Sequence, residues 1–436
     1  MATQTAGLPS GSILDRLRLI KFTRRNNFAV FLLLVGIVTL LGALNTYESS
    51  VTTTLTFEPG PVEEVVHIVV PTLSYLTVVG TIFIVSGGAA LFAPEDWQRY
   101  VTGLMFASGV VLIPTILVAA AANDRTNMTT MFAESLRLAT PIAIGAMAGI
   151  WCERSGVINI AIEGMMLVGA ASGFVTLFFL LPQFPEQTAS VQLISVIVAV
   201  IFGGVMALLH AWLSITFRTD QIISGTVINI LALGGTSFVR REFLLSTQAG
   251  IEQLPNVPLP VLSQIPIVGD AFFNKQPIFY LMFVVIIATH LILFQTRWGL
   301  RTRAVGEHPH AADTLGINVN RMRWTNVFIA GLIAGLAGAW FSLEATGVFN
   351  DGMTRGAGFI ALAAMIFGKW TPFGAFGGAL LFGFSDALGT RLQALDVPVP
   401  PQFLQMVPFV VTIVVLAGLI GRAFPPKAIG QPYIKE

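Results

Sequence analysis

Apolar residues form long uninterrupted runs along the chain, and short polar connections separate them. Most runs have about 18–25 residues, which is the length that an α-helix needs to cross the hydrocarbon core of a bilayer. We identify twelve such segments, at residues 28–44, 65–92, 101–122, 131–151, 157–181, 189–215, 221–240, 278–295, 325–348, 357–369, 373–393 and 404–421. The pattern predicts an all-α fold, a polytopic transmembrane bundle of about 12 membrane segments. The run at 357–369 is short for a full crossing, so a half-helix is the alternative there.

The composition supports a membrane protein. Of the 436 residues, 54% are hydrophobic and 11% are charged, whereas a soluble domain carries about 25% charged residues. The mean hydropathy is +0.78. A net charge of +1 without a long basic tract gives no basis for binding nucleic acid. The single cysteine, Cys152, excludes an internal disulfide and a cysteine-based metal site.

The distribution of positive charge predicts the orientation of the bundle. With the N-terminus placed inside the cell, 17 of the 24 Lys and Arg residues fall in inner connections or inner termini, and five fall in outer loops. Inner loops of membrane proteins are enriched in Lys and Arg, so both termini are predicted to be cytoplasmic. Residues 241–277 then form an outer loop with five prolines, which we expect to be an irregular lid.

One apolar segment begins with a charged stretch. Residues 152–166 start with Glu153 and Arg154 and continue into a run that contains Asn159 and Glu163, four residues apart and on one face of a helix. A carboxylate near the centre of a membrane helix costs about 2.5–3.5 kcal/mol on insertion scales, so Glu163 must face protein, water or substrate. Both polar side chains are candidates for the substrate path. The alternative is that they bond to a neighbouring helix and brace the core.

Other positions in the apolar segments have the same two interpretations. Asn229 is a candidate for contacting substrate or for holding a neighbouring helix, and Phe359 for stacking on a base or for packing. Glu344 and Asp386 are carboxylates within or beside the membrane and are candidates for helix braces. His210 is interpreted as a structural hydrogen-bonding residue.

The chain lacks the motifs of common catalytic sites. It contains no Gly-x-x-x-x-Gly-Lys-Ser/Thr, His-Glu-x-x-His or Gly-x-Ser-x-Gly sequence. The stretch Glu307-His308-Pro309-His310 is interpreted as a solvated loop rather than a metal site, because further ligands are lacking nearby. The sequence therefore predicts a transport component without a metal site and not an enzyme.

The longest predicted inner connection, residues 296–324, is a candidate for binding a soluble partner. Pro309 suits the first turn of a helix, and Gly316 is placed to end that helix. A short helix flanked by arginines is therefore expected on the cytoplasmic face. Taken alone, the loop is also consistent with an ordinary positively charged inner connection.

Several sequence blocks resemble, in order, those of permease subunits of ATP-binding cassette (ABC) importers for simple sugars and nucleosides, a branched-chain amino acid-like permease family. The blocks are Glu153–Ala170, Arg218–Asn229, Arg303–Ile317, Gly356–Ala364 with Ile366–Gly368, and Pro425–Tyr433. The resemblance extends over about residues 131–436 and is closest to the nucleoside (purine-type) branch. It predicts a permease core at residues 131–436 with a cytoplasmic coupling loop at 296–324. Residues 1–130 are then an N-terminal extension with about three transmembrane helices.

The resemblance also implies partners. In this family two permeases, often non-identical, form the translocation path, a cytoplasmic ABC ATPase drives it, and an extracellular substrate-binding lipoprotein delivers the substrate. The chain would then move nucleosides or simple sugars across the plasma membrane of a prokaryote, surrounded by membrane lipid and paired in a heterodimer or a homodimer. It would need no cofactor, because the partner subunit hydrolyses ATP.

By the same resemblance, the segment Arg303–Ile317 contains the coupling helix that sits in the ATPase. The positions that match the family are Arg303, Gly306, Glu307, Ala311, Ala312 and Gly316. A bulky residue at Gly306 or Ala312 is expected to uncouple ATP hydrolysis from transport while the permease stays folded. The chain departs from the family pattern in its first 130 residues and at His308, where the loop often has Asn.

Two other functions remain compatible with the sequence. A secondary transporter would couple transport to an ion gradient through Glu163, Glu344 or Asp386. A polytopic membrane enzyme would need a catalytic constellation, and the motifs of such sites are missing. The lack of an ATP-binding motif suits both kinds of transporter, and the cytoplasmic loop favours the ATP-driven one.

Overall fold

The computed structural model describes residues 24–57, 67–244, 253–265 and 268–395, the single residues Phe403 and Met406, and residues 424–435. Over this part of the chain the fold is mostly helical, and nine helical spans are long and apolar enough to cross a membrane. They agree with the polytopic helical bundle that the apolar runs predict.

Three long helices come first in the described part of the chain. They are α1 (Arg24–Thr46), α2 (Thr72–Phe92) and α3 (Gln98–Ala120). Their facing sides enclose a cluster of buried apolar side chains, which consists of Phe28, Ala29, Leu32, Val79, Phe83, Ala90, Val101 and Met105. The first helices therefore have an apolar core of their own.

A small sheet is formed by two strands that lie between α1 and α2 and one strand that follows α3. Its central strand β1 (Thr52–Thr56) pairs antiparallel with β2 (His67–Pro71) and parallel with β3 (Arg125–Asn127). Thr53 of β1 is fully buried, and its hydroxyl donates a hydrogen bond to the Val118 carbonyl of α3 at 2.9 Å.

The remaining elements follow in a long series. They are α4 (Met128–Glu153), α5 (Ile162–Leu180), α6 (Thr188–Ala211), α7 (Gln221–Val239), β4 (Val257–Pro258), α8 (Val268–Phe272), β5 (Asn274–Lys275), α9 (Pro277–Gln295), α10 (Arg297–Glu307), α11 (Pro309–Thr314), α12 (Val319–Ala339), α13 (Ala357–Phe367) and α14 (Pro372–Ala394). β4 and β5 pair antiparallel. π-Helical turns extend α6 to Thr216, α7 to Leu244 and α12 to Thr346.

Local chemistry explains where several of these helices begin. Side-chain oxygens of three N-cap residues accept hydrogen bonds from the first-turn amides of α4, α7 and α12, where free amides would otherwise lack partners. The caps are Asn127, Asp220 and Asn318. Proline occupies the start of α9 and α11, where its missing N–H costs nothing.

The helical prediction needs two corrections. The chain is not purely α-helical, because the described residues include two small sheets, and strands of two to five residues leave no alternating pattern long enough to recognise. The proline-rich loop at 241–277 is not wholly irregular, because its described parts contain β4, α8 and β5. Residues 245–252 and 266–267 of that loop lie outside the described residues.

The last three predicted segments differ from the nine apolar spans. α13 has 11 residues, which gives a length of about 16 Å against about 30 Å of hydrocarbon, so it cannot cross alone. α14 has 23 residues but is less apolar, because it contains five glycines and Asp386. The predicted segment 404–421 lies outside the described residues, except for Met406.

Small residues allow α12 to approach α5 and α6 closely. A Cβ atom on Gly203 of α6 would lie 2.5 Å from the Gly331 carbonyl oxygen and 2.5 Å from the Gly335 Cα of α12. A Cβ on Gly169 of α5 would lie 2.7 Å from the Gly335 carbonyl oxygen. Such backbone contacts are typical of membrane helices that pack through small residues.

A methyl group at Gly203 should force α6 away from α12. We expect Gly203→Ala to reduce the free energy of unfolding by about 1–3 kcal/mol, because an added carbon in a packed interior displaces backbone. Thermal unfolding in detergent measures this loss. Gly234→Ala in α7 is the matched control, since it makes the same change in a helix where a Cβ meets no atom within 4 Å. Equal stability of the two variants would show that this packing is not constrained.

Candidate functional site

The connection between α4 and α5 is an irregular segment buried in the bundle. Ser155 and Asn159 have no exposed surface. Ile162, the first residue of α5, packs beside Gly149, which lies one turn before the end of α4. α5 therefore begins within the depth of the bundle. We call residues 154–161 the α4–α5 loop.

Side chains of α6 and α7 bond to the backbone at the centre of this loop. His210 Nε2 lies 2.9 Å from the Ile158 carbonyl oxygen. Gln221 Oε1 accepts a hydrogen bond from the Ile158 amide at 2.7 Å. Buried backbone groups without partners are costly in a membrane, so these two side chains fix the loop. His210 thus has the structural role that the sequence suggests.

Asn229 of α7 holds the end of the loop and the start of α5. Its Nδ2 donates to the Ile160 carbonyl at 2.9 Å, and its Oδ1 accepts from the Gly164 amide at 2.8 Å. The Gly164 amide belongs to the first turn of α5 and has no partner within its own helix. One side-chain amide therefore bonds to a carbonyl and an N–H that would otherwise be unpaired.

Glu163 caps the N-terminus of α13. Its Oε1 accepts hydrogen bonds from the Thr354 hydroxyl at 2.6 Å and from the Gly356 amide at 2.8 Å, and its Oε2 accepts from the Gly358 amide at 2.6 Å. The first amides of a helix carry partial positive charge and need partners. The carboxylate that is costly in a membrane thus stabilises a helix that starts inside the bundle.

Glycine is required where α13 meets Glu163. A Cβ on Gly358 would lie 2.5 Å from the Glu163 amide nitrogen, which a real side chain cannot tolerate. Gly356 has φ +83°, a left-handed conformation that favours glycine. The two glycines bring the starts of α5 and α13 into backbone contact.

The other end of α13 is held by the end of α4. The buried Glu153 accepts a hydrogen bond from the Trp370 indole N–H through Oε2 at 2.6 Å. Arg154 donates to the Trp370 carbonyl from Nε at 3.1 Å and from Nη2 at 3.0 Å. Trp370 follows α13 in a turn with positive φ, so residues 153–163 contact both ends of α13.

Arg154 lies in an unusually crowded environment for a cation. Burial lowers the pKa of its guanidinium, the nearby Arg303 lowers it further, and Glu307 opposes the shift. Both arginines stack on the ring of Phe294, with guanidinium-to-centroid distances of 5.5 Å for Arg154 and 5.1 Å for Arg303. An arginine remains charged under such a shift, so this contact joins α9, α10 and the α4–α5 loop electrostatically.

The segment at residues 424–435 links the α4–α5 loop to α10. The Ala428 amide donates to the Gly306 carbonyl at 2.9 Å, and the Gly430 amide donates to the Gly156 carbonyl at 3.0 Å. Arg323 of α12 is buried and donates from Nη1 to the Gln431 carbonyl at 2.8 Å. We call residues 424–435 the C-terminal tail.

Comparison with known proteins agrees with the sequence resemblance. The family described as branched-chain amino acid transport system / permease component matches residues 131–416. The guanosine ABC transporter permease protein NupQ of Bacillus subtilis is 42% identical over 310 residues, which cover 69% of this chain and 95% of NupQ. The chain belongs to this permease family.

Further relatives support the same assignment. The nucleoside ABC transporter permease protein NupC of Lactococcus lactis is 40% identical to this permease over 309 residues, which cover 70% of the permease and 96% of NupC. The guanosine ABC transporter permease protein NupP of Bacillus subtilis is 28% identical over 293 residues, which cover 65% and 79%. No solved structure matches the permease. It is a multi-pass membrane protein of the prokaryotic plasma membrane.

The permease's predicted coupling residues fall into two groups. Gly306 and Ala312 are buried, and Glu307 Oε2 accepts a hydrogen bond from the Lys427 amide of the tail at 3.3 Å. Ala311 and Gly316 are exposed, together with Leu315, whose side chain is 82% exposed. Gly316 has φ +81° and ends α11 as expected.

Burial corrects the expected effect of bulky residues in this loop. A Cβ on Gly306 would collide with the Arg154 carbonyl, and Ala312 packs in a cluster with Val305, Val319, Met322 and Tyr433. Larger side chains at these two positions would disturb folding as well as docking. The exposed positions Ala311 and Leu315 are therefore the informative ones.

The remaining predicted path residues differ in exposure. Asn159 is fully buried, with Nδ2 3.8 Å from Met165 Sδ and with Oδ1 unpartnered. Phe359 is 49% exposed on α13. Trp370, Arg323 and the tail contacts were not predicted as a site. Within the described residues, no group of three or more His, Cys, Asp or Glu side chains could hold a metal ion.

Loss of the Asn229 bridge should destabilise the permease. We expect Asn229→Leu to cost about 2–6 kcal/mol in unfolding free energy, because two buried backbone groups lose their partner and each costs about 1–3 kcal/mol. Thermal unfolding in detergent measures the effect. Thr226→Val, on the same helix, is the control, since the exposed Thr226 hydroxyl bonds only to its own helix at Ile222. A loss no larger than that of the control would contradict the bridge.

Proposed function

We propose that this permease is one membrane subunit of an ABC importer that moves nucleosides, of purine type, or simple sugars, and that a separate cytoplasmic ATPase drives it. The main support for this proposal is the exposed side of α11. Ala311 of α11 and the two residues near its end, Leu315 and Gly316, are exposed outside the apolar spans, and another side of α11 is fixed to the protein through Ala312. A large exposed apolar side chain on an anchored helix suits a docking contact.

The relatives support nucleosides as the substrate class. Two of the permeases with about 40% identity are described as guanosine and nucleoside transporters. Phe359 supports the same class, because an exposed aromatic ring can stack on a nucleobase. The side chains of Asn159, Glu163 and Asn229 are less exposed than that of Phe359. We propose that these three residues support the inner half of the path rather than contact the substrate.

We propose that the permease pairs with a second, non-identical permease, although a homodimer is the alternative. Bacillus subtilis has two guanosine ABC transporter permease proteins, NupQ and NupP, and this chain matches both. An extracellular substrate-binding lipoprotein would deliver the substrate. The permease itself would have neither catalytic residues nor a cofactor, because the partner hydrolyses ATP.

The proposed topology has about 12 membrane segments with both termini in the cytoplasm. The C-terminal tail packs on α10 at Gly306 and on Glu307, which supports placing the tail on the same side as the coupling loop. We divide the chain into an extension at residues 1–130 and a permease core at 131–436. The separate apolar cluster of α1, α2 and α3 supports this division.

The carboxylates give less support to an ion-coupled transporter. All three donors on Glu163 are protein groups, so both of its carboxylate oxygens have structural partners. Glu344 Oε2 accepts from the Ile278 amide in the first turn of α9 at 2.7 Å, so Glu344 is a second helix cap. Ion coupling needs a carboxylate that binds and releases a cation, and these two have structural partners.

Transport should depend on ATP hydrolysis by the partner. We expect uptake of a labelled purine nucleoside into proteoliposomes to collapse when the catalytic glutamate of the cognate ATPase is replaced by Gln, since the permease has no motif for ATP binding. Unlabelled nucleosides should compete better than pentoses. Uptake that persists and follows a proton or sodium gradient would identify a secondary transporter instead.

A charge at Leu315 should weaken the docking of the ATPase. We expect Leu315→Glu to lower ATPase co-purification by about tenfold or more, because a buried apolar anchor is worth about 1.5–3 kcal/mol. Quantitative pull-down with the tagged permease measures this. Leu262→Glu is the matched control, since Leu262 is a half-exposed leucine of the predicted outer loop. ATPase recovery equal to the control would place the docking surface elsewhere.

A further inference from the structure

α13 is a short helix whose two ends are attached to one segment of the permease. At its N-terminus, the Gly356 and Gly358 amides donate to Glu163. Beyond its C-terminus, Trp370 bonds to Glu153 and Arg154. Both attachments lie within residues 153–163, so a displacement of that segment acts on α13 from both ends.

The side of α13 also fits closely against α4. A Cβ on Gly145 would lie 2.9 Å from Ala361 Cβ, and a Cβ on Gly149 would lie 2.8 Å from Met365 Sδ. The two glycines therefore let α13 pack so closely on α4 that it cannot move nearer to that helix. Packed interfaces of this kind switch between discrete positions rather than deform continuously.

Residues 153–163 are in turn attached to the cytoplasmic loop. Gly306 of α10 approaches the Arg154 carbonyl so closely that a Cβ there would collide with it. The tail bonds to Gly306 and Gly156 at once. Tyr433 of the tail lies in the same buried cluster as Ala312 of α11. A contiguous chain of contacts thus leads from α11 to both ends of α13.

We propose that α13 is the moving gate of the inner half of the translocation path and that Glu163 is the positioning residue that makes it move with the α4–α5 loop. When the ATPase displaces α11, the shift passes through Gly306 and the tail to residues 153–163. The shift then carries α13, and with it the half-exposed Phe359. This proposal rests on the proposed function, since it requires an ATPase that acts on α11.

The alternative is that Glu163 merely stabilises the fold. Glu344 provides the comparison, because it is a second carboxylate that caps a helix, at the Ile278 amide of α9, and it is buried. The groups around its carboxylate belong to Ile278, Phe279, Trp340 and Arg137, which lie outside α10, α11, residues 153–163 and the tail. If the loss of a carboxylate cap only destabilises the fold, substitutions of Glu163 and Glu344 should have similar effects. An effect on the coupling of transport to ATP hydrolysis should appear only when Glu163 is substituted.

The first test measures the amount of nucleoside transported for each ATP hydrolysed by the complete complex in proteoliposomes. We expect Glu163→Gln to lower this ratio about tenfold, with complex assembly and ATP hydrolysis retained, because the loss of a charge-assisted hydrogen bond changes the balance between two states by about that factor. Glu163→Asp should restore part of the ratio. Glu344→Gln should leave the ratio unchanged even where it lowers the unfolding temperature.

Two results of this test would overturn the proposal. One is a normal transport-to-hydrolysis ratio in Glu163→Gln. The other is an equal fall of the ratio in Glu344→Gln. The wild-type complex is measured in parallel, and absence of ATP-driven uptake there would reject the proposed function itself rather than the gate.

If the Glu163→Gln complex does not assemble, the movement of α13 is measured by the reactivity of an introduced cysteine. Cys152 is the single cysteine and is buried, so Cys152→Ala provides a background for introduced cysteines. We expect Phe359→Cys to change its rate of reaction with a water-soluble thiol reagent when the complex binds ATP. Val205→Cys, at an exposed apolar position of α6, should show no change. An unchanged rate at position 359 would overturn the proposal.

Discussion

Every buried backbone group of a membrane protein needs a partner, and the α4–α5 loop is where this requirement is most demanding. A helix satisfies its own N–H and C=O groups, but residues 154–161 are not helical and lie inside the bundle. The first amides of this loop bond to carbonyls of α4, and the backbone groups of Ile158 and Ile160 find partners in the side chains of His210, Gln221 and Asn229. The polar residues that look out of place in apolar segments are therefore the ones that make the buried loop possible.

The same requirement explains the cap on α13. The amides at the start of α13, a helix of 11 residues, have no partners within their own helix. Glu163 accepts hydrogen bonds from two of them, those of Gly356 and Gly358. The partial positive charge at a helix N-terminus makes it a favourable place for a carboxyl side chain. Once this cap is made, α13, α5 and the end of α4 form one connected unit, and the tail joins that unit to α10.

The sequence predicts what depends on local pattern. Apolar runs predict most of the membrane helices, and Pro309 and Gly316 mark the bounds of α11, because caps and turns act over a few residues. The free-energy cost of a carboxylate in an apolar segment is enough to mark Glu163 as functionally or structurally important. Its partners are not recognisable, because Thr354 is 191 positions away in sequence and only the folded chain brings it near.

The short elements are harder to predict for a different reason. The run at 357–369 is already short for a full crossing in the sequence, but its bounds in the structure, Ala357–Phe367, are needed to choose between a full crossing and a half-helix. β1 and β2 have five residues each and leave no clear periodicity. The tail has three prolines and no periodic pattern that would predict its contacts, yet its amides and carbonyls bond to Gly306, Gly156 and Arg323.

The most direct test of this account is the distance between α11 and α13 in the working complex. Spin labels in the Cys152→Ala background at Thr314→Cys of α11, Ile366→Cys of α13 and Val85→Cys of α2 would use three exposed positions. Pulsed electron paramagnetic resonance would compare the nucleotide-free and ATP-bound states. If α11 and α13 move as one unit, the 314–366 distance stays constant while both distances to position 85 change together. A 314–366 distance that changes as much as the other two would contradict this account.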